Sequence, residues 1–222
     1  MEPIDLSIQT FMKIAASTTR GKISIIRTFM APGGYDFYKV LKKLAGQLAR
    51  YEISWIDAEA EVAKIKRLPE RQHTLVLLQK FYSWFVAGGF AWADPAKGLH
   101  VSVSGLLKVR VRPEIGFKNS SGGTTSLALW TVAAPKLTPS VAADGIQFLV
   151  NELLIGANDE AALFQVRAQN IFDRSLITAG SAARVKFHLT VVEEIWKELH
   201  DPGKSTEEVV SHIASLGNLP PP

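Results

Sequence analysis

The chain predicts an α+β fold, with a helical N-terminal lobe followed by a small mixed sheet in β-β-α-β-α-α order. Three observations carry that prediction. Apolar residues recur at spacings of three and four over the first ninety-odd positions, the period shifts to two after residue 94, and helical stretches separate the later strands. Residues 1–95 form the helical lobe and residues 96–222 the α+β part. No linker between them is long enough for independent folding, so one compact body is expected.

The elements follow in order. Residues 22–29 are ambiguous, since Ile23, Ile25 and Ile26 favour a strand while an earlier helix could run through them. Pro32-Gly33-Gly34 reads as a turn with Asp36 as N-cap, and Phe37, Val40, Leu41, Leu44 and Leu48 give an apolar stripe over 36–50. Lys39, Lys42, Lys43 and Arg50 occupy its opposite face. Residues 57–67 are acidic first and basic last, which suits the helix dipole, and Pro69 is a stop. Residues 74–86 are an apolar helix ended by Gly88-Gly89. Gln79 and Lys80 lie near the middle of the 74–93 stretch, and a central lysine costs about 2.5–3.5 kcal/mol in a bilayer, so a buried helix is expected rather than a membrane span.

Residues 100–104 and 107–112 alternate, with Gly105 allowing a bulge or bend between them. Residues 118–125 are a loop, and 126–132 form a further strand expected to make a hairpin with 107–112. Thr138-Pro139 opens a helix to about residue 155 with Ile146, Leu149, Val150 and Leu153 inward. Residues 163–172 alternate as a strand with Gln165, Arg167 and Gln169 on its polar side. A long helix over 182–199 buries Val185, Leu189, Val192, Ile195 and Trp196. Ser205 to Glu208 is a capping box for a last helix ending at Gly217.

Composition bounds the function. With 47% hydrophobic and 21% charged side chains in 222 residues, the chain is globular rather than disordered, collagenous or coiled-coil. It has no cysteine, which excludes disulfide scaffolds, thiolate metal sites and cysteine nucleophiles. The start, Met1-Glu2-Pro3-Ile4-Asp5, lacks a basic and then apolar leader, so no secretory signal is expected and a cytoplasmic location suits the chain.

Charge is uneven. Residues 1–94 hold 13 basic and 9 acidic side chains, residues 95–143 hold 6 and 1, and residues 144–222 hold 6 and 11. The asymmetry points either to an anionic partner for the basic part or to complementary packing between the parts.

Several chemistries fail on their residues. The stretch 16–23 resembles a phosphate loop only in part, since Ala16 and Ile23 stand where glycine and a hydroxyl residue are needed. No two of His73, His100, His188, His200 and His212 stand three or four apart, so no helical metal pair and no metal cofactor is expected. Glu193, Glu194 and Glu198 read as a solvated face, while Asp144 and Glu152 flank an apolar helix. The order of helix, paired strands, helix and strand is similar to the core of restriction-endonuclease-like nucleases. That chemistry needs clustered acids and a lysine on the sheet to hold magnesium. The strand 126–132 has no ionisable residue and Glu114 stands alone, so no family is assigned.

The strongest remaining signal is the row Lys108, Arg110 and Arg112, whose side chains stand about 6.6 Å apart on one strand face. Lys118 and Arg167 are candidates to extend that face, Arg167 on condition that its strand pairs beside the row. Such a platform binds phosphates without reading bases; otherwise the row protects an exposed strand from edge aggregation. Phe81, Tyr82, Trp84, Phe85, Phe90 and Trp92 read as core, or as an interface with another chain if exposed.

The sequence therefore predicts a non-enzymatic intracellular binding or adaptor protein without cofactor. Its basic strand face would meet nucleic-acid backbone or, next, an acidic protein. One alternative is a hydrolase or nuclease-like enzyme whose cleft would join Glu114 to an acid of the C-terminal part. The other is a structural subunit that forms homo- or hetero-oligomers through residues 74–92.

Overall fold

The computed structural model describes residues 1–30, 37–153 and 156–216. The chain begins with β1 (Ile4–Ser7), α1 (Ile8–Ala15) and α2 (Thr19–Arg27), followed by α3 (Lys39–Ala49), α4 (Trp55–Ala63) and α5 (Leu68–Gly88). Four strands come next: β2 (Gly98–Val101), β3 (Leu107–Val111), β4 (Ile115–Lys118) and β5 (Thr124–Trp130). The remainder is α6 (Pro139–Glu152), β6 (Glu160–Gln165), β7 (Asn170–Phe172), a short 3-10 turn (Arg174–Leu176), α7 (Ser181–Leu199) and α8 (Thr206–Leu216). The class is α+β, as the periodicity predicts. No helix among the described residues is long and apolar enough to cross a membrane.

The strands form two mixed sheets, β1-β3-β2 and β4-β5-β6-β7. This overturns the expected hairpin between 107–112 and 126–132. β3 instead pairs parallel with β1 and antiparallel with β2, while β5 pairs with β4 and β6. Two local causes act. Gly105, at φ +73°, closes the tight turn between β2 and β3, and residues 115–118 take the edge of β5 that the hairpin would have used. The expected strand over 163–172 is itself a hairpin, because the chain turns at residues 166–169 and β7 folds back on β6.

The second sheet explains why residues 126–130 lack a polar face. Leu127 and Leu129 of β5, with Ala162 and Phe164 of β6, pack into one core with α3, α4 and α5. Ala128 and Trp130, with Ala161 and Leu163, pack into the other with α1 and α6. Both faces are covered, the environment in which strands lose their alternation. Burying each leucine or phenylalanine contributes about 1.5–3 kcal/mol before entropy. The first sheet has one covered face. Ile4, Leu6, Leu107, Val109 and Val111 enter the core shared with α1, α2, α6, α7 and α8, so residues from both ends of the chain build it.

Caps set the helix starts, and two differ from the expected ones. Residues 22–27 of the ambiguous 22–29 stretch resolve as helix, because Thr18 accepts a hydrogen bond from the Gly21 amide and opens α2 at Thr19; Thr28 and Phe29 turn out of it. α4 begins before Asp57 because Ser54 and Asp57 form a reciprocal capping box. Pro69 does not stop that helix but lies in the first turn of α5, where its missing N–H costs nothing. The Thr138 cap of α6 stands where the sequence places it. The expected turn at 32–34, the Asp36 cap, the last residues of the 138–155 helix and the Gly217 end of the last helix lie outside the described residues.

Candidate anion-binding site

Alternation along β3 buries Leu107, Val109 and Val111 and turns Lys108 and Arg110 outward, with Arg112 exposed just beyond the strand. In register, Asp5 and Ser7 of β1 stand beside Lys108 and Arg110, and Val101 and Leu99 of β2 stand on their other side. Arg110 donates from Nε to Asp5 Oδ1 at 2.9 Å, with both side chains about half exposed. An exposed pair of this kind is worth at most about 1 kcal/mol, so another anion can compete for the guanidinium. Among the described residues, Lys108 and Arg112 have no ion-pair partner.

Of the row, Arg110 lines a cleft of about 540 Å³ whose walls also include Asp5, Ser7, Gln9, Lys13 and Lys42. Local chemistry positions each wall. Ser7 ends β1 and caps α1 by accepting the Thr10 amide, which carries Lys13 to the cleft one turn later. Gln9 Nε2 donates to Leu129 O at 3.1 Å and to Thr131 Oγ1 at 2.7 Å, fixing α1 against the end of β5. Lys42 comes from the polar face of α3, whose Leu41 and Leu44 anchor it in the other core. Lys13, Lys42 and Arg110 thus converge, with Asp5 the acid among the described lining residues.

The expected five-residue platform divides between the two sheets. Lys118 ends β4 on the second sheet. Arg167 lies in the β6–β7 turn, because β6 pairs with β5 and β7 rather than beside β3. Lys80 Nζ donates to Arg167 O at 2.6 Å and Gln169 Nε2 donates to Lys80 O at 2.9 Å, so α5 holds that turn. Lys108, Arg110 and Arg112 remain together. Lys13, Lys42 and Asp5 were missed as site residues. The alternation Ile4-Asp5-Leu6-Ser7 was a readable strand signal, but its parallel partner 103 residues away was not.

The acids singled out in the sequence have separate partners. Glu114 Oε2 accepts the Leu129 amide at 2.9 Å, supplying an acceptor where the β4–β5 ladder ends at Ile115 and Leu127. Among the described residues, the small space beside it is lined by Ile8, Gln9, Met12 and β5 and β6 residues, with no acid of the C-terminal part. Glu193 accepts from Ser104 Oγ, Glu194 pairs with Lys197 and Glu198 with Lys204, each at 2.6 Å. Among the described residues no group of three or more His, Asp or Glu side chains could hold a metal ion.

The aromatic cluster lies in the core of α3, α4, α5 and the second sheet. Phe81 and Phe85 are buried, Trp84 stacks on Phe164 with centroids 4.1 Å apart, and Phe90 meets Phe117 at 4.3 Å. Tyr82 stacks on Trp55, and Trp92 receives the Arg50 guanidinium. None of the six is fully exposed. Comparison with known proteins gives no matching family model and no similar curated protein.

Proposed function

We propose that this protein is a non-enzymatic binding or adaptor protein whose cationic sheet face and adjoining cleft engage a polyanion, with nucleic-acid backbone as its partner. The observation that carries this reading is the convergence of Lys13, Lys42 and Arg110 in one cleft, whose Asp5 stands beside Lys108 in the sheet. Ser7, Gln9 and Thr10 add short polar groups to its wall, suited to phosphate oxygens rather than to base edges. Contacts of this kind position a backbone and leave sequence unread.

Fluorescence anisotropy with short labelled oligonucleotides over a salt series tests the reading. Three to five neutralised phosphates give a plot of log K against log salt with a slope of about −2 to −4. Arg110→Glu/Arg112→Glu abolishes binding with the fold intact by circular dichroism, and Asp5→Ala strengthens it by removing the competing carboxylate. Unchanged binding by the Glu double variant overturns the proposal.

A second reading has its own observation. Leu99 and Val101 are 54% and 48% exposed directly beside Arg110 and Lys108, a mixed apolar and cationic face that suits an acidic protein segment. Binding of an acidic peptide in preference to oligonucleotide, lost in Leu99→Asp, selects it.

A further inference from the structure

The cleft has a cationic neighbour on the helical side. A second pocket, of about 450 Å³, lies between α3, α4 and the start of α5, and its lining includes Lys43, Lys64, Lys66, Arg67, Glu61 and Glu70. Lys64 pairs with Glu61, and Glu70 is buried. Lys43 and Lys66 are exposed and have no ion-pair partner among the described residues. Lys39, exposed in the first turn of α3, adds another cation nearby.

One helix joins the two places. Lys42 lines the first cleft and Lys43 the second pocket, and consecutive Cα atoms are only about 3.8 Å apart. Leu41, Leu44 and Leu48 tie α3 to the core beneath, so its polar face is a fixed bridge rather than a swinging arm. The space bounded by Glu2, Asp5, Trp196 and His200 mixes acids with an aromatic wall. Asp144, Arg184 and His188 form a charged contact between α6 and α7.

We infer that Lys43 and Lys66 form a second phosphate-contact site, which extends the sheet-side cleft across α3 into one track for a single-stranded nucleic acid. This rests on the polyanion reading of the first cleft. A single small anion would fill either pocket alone; only a continuous polyphosphate chain gains from both, because the second contact becomes intramolecular once the first has formed. Electrostatic tracks for single strands commonly span about 4–16 nucleotides per module.

The experiment uses labelled oligo-dT of about 6 and about 20 nucleotides, a length pair chosen to bracket that range. The full chain and two double variants, Arg110→Glu/Arg112→Glu and Lys43→Glu/Lys66→Glu, are compared by anisotropy over salt, with circular dichroism as the folding check. The expected result is loss of both oligomers in the first variant. The second variant weakens the long oligomer about tenfold or more, lowers its salt slope by about 2 and leaves the short one unchanged. If the long oligomer binds the Lys43→Glu/Lys66→Glu variant as it binds the parent, the track is overturned while the first cleft stands. If neither oligomer binds the parent chain, the underlying reading fails with it. Should phosphatidylserine vesicles bind in a Lys43- and Lys66-dependent way while oligonucleotides do not, the partner class is a membrane surface and the nucleic-acid track is wrong.

Discussion

Removing Arg184 is expected to destabilise the protein more than neutralising Asp144, its ion-pair partner. Asp144 lies on α6 with its side chain 8% exposed, while Arg184 of α7 is 40% exposed. Arg184 Nε reaches Asp144 Oδ1 at 2.9 Å and Nη2 reaches the same oxygen at 2.8 Å, and His188 Nε2 stands 3.6 Å from Oδ2. Breaking a buried pair costs about 3–5 kcal/mol when the remaining charge stays buried. Arg184→Met keeps the aliphatic stem but leaves the carboxylate behind, with water entering where the guanidinium stood, so about 2–3 kcal/mol is expected. Asp144→Asn leaves a guanidinium that can turn to solvent, and exchanging charge-assisted for neutral hydrogen bonds costs about 1 kcal/mol. Urea unfolding at neutral pH reads both costs, and thermal unfolding shows Arg184→Met lowering Tm by about 5–10 °C for a chain of this size. If Asp144→Asn costs as much as Arg184→Met, the asymmetry of burial does not control this pair and the reasoning fails.

Three further outcomes follow from other parts of the structure. Gly116→Ala would place Cβ 2.2 Å from Ala93 O and 2.7 Å from Pro95 N, both backbone atoms, so β4 must part from residues 91–95. The expected cost is about 2–3 kcal/mol in urea midpoints; a cost below about 0.5 kcal/mol would mean that segment is free to move. Gly105→Ala meets no atom within 4 Å but sits at φ +73°, so it should cost only about 1 kcal/mol, from backbone strain. Burial lowers the Lys22 amine from its ordinary 10.5 to about 8, while Nζ donates to Ile14 O and Ala15 O at the end of α1. Between those values the unfolded chain holds a proton that the folded chain has released, so stability rises with pH across that window and the charged amine is penalised below it. Lys22→Met should flatten this rise relative to the parent chain. Parallel curves of midpoint against pH would show that Lys22 keeps an ordinary pKa.

Much of the secondary structure was legible because its signals are local. The period-two run of β3, the Thr138-Pro139 start of α6 and the apolar stripe of Leu41, Leu44 and Leu48 depend only on neighbours in the chain, and the structure repeats them. So does the assignment of the 81–92 aromatics to a core, since their apolar surroundings require it. The signals that failed were those with two local meanings. Proline both ends and begins helices, and at Pro69 the second role holds. Alternation over 163–172 is shared by one strand and by two strands joined by a tight turn, and long-range pairing selects the hairpin.

The sequence by itself determined the class, the absence of cysteine chemistry and the outward cationic row of Lys108 and Arg110, because composition and side-chain alternation are fixed by covalent order. Tertiary structure decided which cations meet. Parallel pairing of β1 with β3 carries Asp5 to Arg110 and, through the Ser7 cap, Lys13 to the same cleft. Pairing of β6 with β5 and β7 puts Arg167 on the other sheet. Those partnerships span up to about a hundred residues of chain. They come from burying the two faces of the second sheet and the inner face of the first, a balance that no local window contains.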